Sequence, residues 1–199
     1  MIRRLLLTSA MLALAACGAP APAEPETAPA PTPPPAASST VAHLTAEGWG
    51  PLRIGMTRAE VVAAVGEDAN PGAVGGPDPE RCDEFRATGA PDAMLLMIES
   101  GRLTRISLTS PSEVTTERGF GVGDPGEGIA AAYGAQANRE PHKYEPAPSE
   151  YITVWSRNGG AGYVQNPDAR GLVFEVGQDG AVKAIRAGGP SIQYVEGCS

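Results

Sequence analysis

A fifteen-residue pattern occurs twice in this chain, without a gap, at a constant offset of 68. Leu52-Arg53-Ile54-Gly55-Met56-Thr57 leads into 58–66, and Phe120-Gly121-Val122-Gly123-Asp124-Pro125 leads into 126–134. A duplicated pattern restricts the chain to folds in which both copies build the same local structure. In each copy a helix-capping residue, Thr57 or Asp124, stands three positions before an acid, Glu60 or Glu127. That spacing predicts a capping box, in which side chain and backbone satisfy each other's first-turn groups. Pro125 suits the first helical position, where its missing N–H costs nothing. Val61, Val62 and Val65, like Ile129 and Tyr133, place apolar groups on one side of a short helix. Gly66 and Gly134 fall where a helix ends in a left-handed residue.

Strands are expected after each helix. Met94 to Ile98 is an apolar run that Gly101 turns into a second run, Leu103 to Leu108. Farther on, Leu172 to Val176 passes through Asp179-Gly180 into Ala181 to Ile185, and Asp-Gly between β-rich runs signals a hairpin. The two hairpins align at an offset of 79, so the second copy carries about eleven extra residues, around Pro141 to Pro148. The expected fold is α+β: two tandem repeats of a helix plus an antiparallel meander, 41–110 and 111–199. Together they form one curved sheet with short helices on one face.

The stretch from Gly50 through Val61 to Gly66 resembles the signature of small bacterial envelope lipoproteins of the SmpA/OmlA kind, which assist outer-membrane barrel assembly. Two such units in tandem are similar to the β-lactamase inhibitor protein fold, whose paired helix-plus-sheet repeats form a curved sheet. The resemblance covers about 15 residues per copy, and it implies a fold more than a function, because the pattern caps and packs a helix and contains no reactive group. A barrel-assembly lipoprotein usually has one unit where this chain has two.

The N-terminus supports an envelope address. Arg3 and Arg4 precede twelve mostly apolar residues, Leu5 to Ala16. Twelve fall short of the ~20 that an α-helix needs to cross a bilayer, so 1–16 is expected to be an export signal. The run Leu14-Ala15-Ala16-Cys17 resembles a lipobox, which implies cleavage before Cys17 and lipid attachment to it. Gly18, standing where an aspartate would signal inner-membrane retention, implies delivery to the outer membrane, facing the periplasm. Residues 18–40 hold eight prolines and seven alanines in 23 positions. Such a segment buries too little apolar surface to offset its ordering entropy, so 17–40 reads as a lipidated tether.

The formal charge of the full chain is −8, and loss of Arg3 and Arg4 makes the mature protein more acidic still. That disfavours nucleic acid and anionic headgroups as partners and leaves the lipid as the membrane contact. Cys82 and Cys198 lie outside any C-x-x-C pattern in a chain expected to be exported, so a structural disulfide pinning the C-terminal tail is expected.

No reactive constellation is visible, and no cofactor or metal is expected. Gly121-Val122-Gly123-Asp124-Pro125-Gly126 satisfies G-x-G-x-x-G, but Asp124 and Glu127 would oppose a pyrophosphate, and the sister copy lacks the pattern. His43 and His142 are about a hundred residues apart, with no zinc spacing around either and no G-x-S-x-G elbow in the chain. Asp83-Glu84 reads as a carboxylate pair on a solvated face. The most unusual local sequence is Pro141-His142-Lys143-Tyr144-Glu145-Pro146, in the second copy's insertion. It reads either as a ligand or partner contact, or as a proline-stiffened connector with Tyr144 packed on the sheet. Alternation along Tyr151 to Trp155 puts Tyr151, Thr153 and Trp155 on one face. Tyr151 and Trp155 are either interface anchors or core. His142, Lys143, Tyr144, Tyr151 and Trp155 are thus the candidate partner-binding residues. The expected function is a non-catalytic, lipid-anchored module that binds an envelope protein or serves assembly. The alternatives are an inhibitor of a secreted or periplasmic enzyme, and a small-ligand or hydrolytic site around His142.

Overall fold

Both helices begin where the duplicated pattern places them, and the two beginnings are built differently. The computed structural model describes residues 42–198. The export signal, Cys17 and the tether to residue 40 lie outside the described residues, as does Ser199. A small hairpin of β1 (Gly48–Trp49) and β2 (Leu52–Arg53) leads into α1 (Arg58–Val65). Thr57 caps α1 through the full box: its hydroxyl takes the Glu60 N–H at 3.3 Å, and the Glu60 carboxylate takes the Thr57 N–H at 2.8 Å. The second helix, α2 (Gly126–Tyr133), has Pro125 at its cap, in extended backbone, where the sequence placed it at the first helical position, and no side-chain cap bond. Asp124 turns back instead and accepts the Gly121 N–H at 2.7 Å, closing the loop before the helix. Glu127 is spent on Arg139. The expected second capping box is therefore absent, because a nearer backbone donor and a cation claim its two carboxylates.

Between α1 and α2 run β3 (Cys82–Phe85), β4 (Met94–Glu99) and β5 (Arg102–Leu108). After α2 come β6 (Asn138–Pro141), β7 (Glu150–Arg157), β8 (Arg170–Val176) and β9 (Val182–Gly188). They make one antiparallel sheet of seven strands in the order β3-β4-β5-β9-β8-β7-β6. The seam pairs Arg105 with Gly188 and Leu108 with Ile185. Gly188 is required there, because a Cβ would sit 2.3 Å from the Thr104 carbonyl oxygen.

The same three backbone bonds tie each helix entrance to a hairpin. Gly55 N–H donates to Leu103 O, Leu103 N–H to Met56 O, and Arg58 N–H to Gly101 O. Gly123 N–H donates to Val182 O, Val182 N–H to Asp124 O, and Gly126 N–H to Gly180 O. Gly126 is buried against Val176, where a Cβ would meet the valine side chain at 2.8 Å. That glycine of the G-x-G-x-x-G match thus serves close packing of the helix.

One face of the sheet carries the core. The register runs an apolar row from strand to strand, Phe85–Leu96–Ile106–Ala187–Leu172–Val154. Val61 and Val65 of α1 and Ile129 of α2 belong to the same buried cluster, so both helices cover this face. Burial of these side chains is worth ~1.5–3 kcal/mol each against exposure.

The other face is polar and is crossed by the chain's own C-terminus. After β9 the chain makes a 3-10 turn, Pro190–Gln193. Ile192 is wholly buried against Tyr151 and Val173. Arg105, 4% exposed, donates to the Ser191 carbonyl at 3.2 Å and the Tyr194 carbonyl at 3.0 Å, and pairs with Glu84 at 2.6 Å. The expected disulfide closes the strap, with the Cα atoms of Cys82 and Cys198 5.4 Å apart. Asp83 and Glu84 do not lie on a solvated face: Asp83 pairs with Arg58 and Glu84 with Arg105, on opposite sides of β3.

Candidate binding site beside the C-terminal strap

The candidate residues of the second half gather at one end of this polar face. His142, at the start of the extra loop, is nearly sealed, its side chain 4% exposed. Nδ1 faces the backbone N–H groups of Tyr144 at 3.2 Å and Glu145 at 3.1 Å. Those N–H groups only donate, so Nδ1 is the acceptor and the ring proton sits on Nε2. Nε2 then donates to Glu175 at 3.3 Å. The ring also stacks on Tyr151, centroids 4.6 Å apart. With both nitrogens engaged, His142 braces the loop from inside and offers no free lone pair to a ligand.

The rest of the loop is braced as well. Glu145 joins Lys183 and takes the Ser149 hydroxyl at 2.9 Å. Those two contacts hold the Glu145 carboxyl below its usual range, Lys183 contributing most, and the Lys183 ammonium is raised in turn, chiefly by Glu145. Glu175 collects three partners: Arg186, His142, and Lys183 at 3.7 Å. At the tip, Tyr144 is 61% exposed, with the Lys143 ammonium 4.9 Å from its ring centre. Tyr144 therefore does not pack on the sheet as the connector reading expects.

Tyr151 and Trp155 share the polar face, while Ile152 and Val154 turn into the core, as alternation requires. Tyr151 is buried beneath His142 and Ile192. Burial, then the Glu175 carboxylate, raise its phenol above the usual value. Its hydroxyl has no hydrogen-bond partner among the described residues; the Lys143 backbone lies close but outside bonding geometry. Trp155 is half-buried and held by glycines: a Cβ on Gly159 would fall 2.0 Å from the ring, and one on Gly171 would fall 2.7 Å from it.

These side chains border a cleft of about 360 Å³ between β6–β8 and the strap. Register places Asn138, Thr153 and Val173 in one row along its floor. Trp155 stands at one end of that row and Tyr151 with Glu140 at the other, while Tyr163 and, on the strap, Gln193 also line the cleft. Gln193 fixes the loop that carries Tyr163, exchanging two 2.8 Å bonds with the Val164 backbone. Lys143 reaches the rim, whereas His142 and Tyr144 do not line the cleft. A second hollow, about 680 Å³, lies on the disulfide side of the strap, and there Lys143 is bound to Glu196 at 3.1 Å.

Sequence reasoning missed Asn138, Glu140, Tyr163 and Gln193. Tyr163 was findable, as an aromatic directly after the glycine-rich run 159–162. Asn138 and Glu140 belong to a short edge strand with no apolar alternation to announce it. Among the described residues no group of three or more His, Cys, Asp or Glu is placed to hold a metal ion. None of the described helices is long and apolar enough to cross a membrane. Comparison with protein-family models, curated proteins and solved structures finds no match for this chain.

Proposed function

We propose that this is a lipid-anchored cell-envelope protein that acts by binding a protein partner, without chemistry of its own, through the loop at 141–148. The observation that carries the reading is an exposed tyrosine on an internally braced loop. Tyr144 stands out at 61% exposed while His142, Glu145 and Ser149 bond the loop to itself and to β8 and β9. A contact residue held this way loses little freedom on docking, so more of its burial appears as affinity. The export signal and Cys17 supply the address, and the acidic charge leaves the lipid as the membrane contact.

We also read the domain as two tandem copies of one helix-plus-meander unit. Each member of the three-bond set at α1 has its equivalent at α2, at offsets of 68 before the helix and 79 at the hairpin. The seven-strand order, with β5 and β9 meeting at the centre, is what two such units joined at their last strands would produce.

The test is crosslinking of the native protein in its own membranes followed by purification, with Tyr144→Ala beside the wild type. A specific protein that is recovered with the wild type and lost with Tyr144→Ala is the expected result. Equal recovery with both would remove the loop from the interface, and no recovery with either would overturn the binding role.

A further inference from the structure

The cleft between Trp155, Tyr163 and the strap is chemically unlike the loop beside it. We propose that it binds a short neutral glycan, an activity that goes beyond the docking role of the loop and does not depend on it. Three observations decide the ligand class.

The first is shape and lining. A volume of about 360 Å³ falls at the small end of the ~300–1,000 Å³ typical of ligand sites. Two aromatic side chains, Trp155 and Tyr163, line it together with the row Asn138, Thr153 and Val173, and with Glu140. A sugar ring has an apolar face of C–H groups and a rim of hydroxyls. It asks for an aromatic plane on the first and for side chains that both donate and accept on the second. Asn138 and Thr153 do both, and Glu140 accepts.

The second is charge. The two cations at the cleft are already committed, Arg186 to Glu175 and Lys143 to Glu196. Glu140, which also lines it, adds negative charge. An anionic ligand would meet no uncommitted cation of this lining, so phosphate-bearing and uronic ligands are disfavoured.

The third is preorganisation. Trp155 is held between Gly159 and Gly171, and the Tyr163 loop is clamped through Gln193. Tyr151, 8% exposed and stacked under the His142 ring, forms a fixed border of the cleft. Tyr163, by contrast, is 62% exposed, an arrangement that suits a platform waiting for a ring.

The experiment uses the purified full chain carrying Trp49→Phe, so that Trp155 is the single indole, titrated with cellotriose and with chitotriose. Expected is a saturable change in Trp155 fluorescence, with half-saturation between about 0.1 and 5 mM for at least one sugar. Preference for chitotriose would name an acetamido sugar, and preference for cellotriose a plain hexose; either supports the class. Tyr163→Ala, on an exposed side chain, is expected to weaken binding about tenfold, and Tyr144→Ala to leave it unchanged. Three results would overturn the proposal: no saturation by either sugar, equal binding with Tyr163→Ala, or tighter binding of an oligogalacturonate than of both neutral sugars. Crosslinking in membranes that captures a protein through Tyr144 while the sugars fail would discard the glycan and leave the docking role standing.

Discussion

The two faces of the sheet are held by different physics. On the helix side, Phe85, Leu96, Ile106, Phe174 and Ile152 are packed dry against α1 and α2. On the strap side, Arg105, Glu84, Arg186, Glu175 and His142 are joined by directed bonds, and a disulfide closes the cover. The apolar face tolerates any filling of the right volume; the polar face depends on particular partners in particular places. Stability therefore resides mainly under the helices, and shape at the cleft resides under the strap.

The largest expected effect breaks the apolar face. Phe174→Ala removes a wholly buried ring and should cost ~3–5 kcal/mol in denaturant unfolding, with both faces lost together. Arg105→Met comes next. It strands the buried Glu84 carboxylate and should cost ~3 kcal/mol. A loss under 1 kcal/mol would mean that the polar face does not need its partners. Reduction of Cys82–Cys198 should cost ~2–4 kcal/mol and raise amide exchange selectively at 189–198, leaving α1 and α2 protected. Uniform exchange would erase the distinction between the faces. Gly159→Ala should displace Trp155 at a cost of ~1–2 kcal/mol, visible as a red shift of its fluorescence. The smallest effect concerns acid. Glu60, Glu127 and Glu145 are all held below the usual carboxylate range, by Thr57, Arg139 and Lys183 respectively. Their contribution is complete above the unfolded Glu pKa of ~4.3 and is lost as pH falls through the lower folded values. Glu145→Gln should lower stability slightly at neutral pH and flatten that acid limb by the same small amount, as read by denaturant unfolding at neutral and at acid pH.

Much of the apolar face was legible in the sequence, because its signals are local. Thr57 with Glu60, the run Met94 to Ile98, and Asp179-Gly180 each specify an element from within a few residues. The polar face was legible only in part. Alternation put Tyr151 and Trp155 on one side, and the export context paired Cys82 with Cys198. But Arg105 meets Tyr194 across 89 positions and His142 meets Glu175 across 33, and no spacing rule encodes such encounters. Asp124 misled for the same reason: its sequence neighbourhood advertises a cap, while a backbone N–H three residues upstream claims it. Tyr163 shows the remaining gap, since its place at the cleft is set by Gln193, thirty residues away.

The bond between Cys82 and Cys198, 116 residues apart, makes most of the folded domain a covalent ring. A protease cutting once in an exposed loop such as 158–163 would open that ring without parting the molecule. Both pieces would stay linked and run together on a non-reducing gel, separating only after a thiol is added. For a protein expected to work among envelope proteases, a single nick need not mean loss.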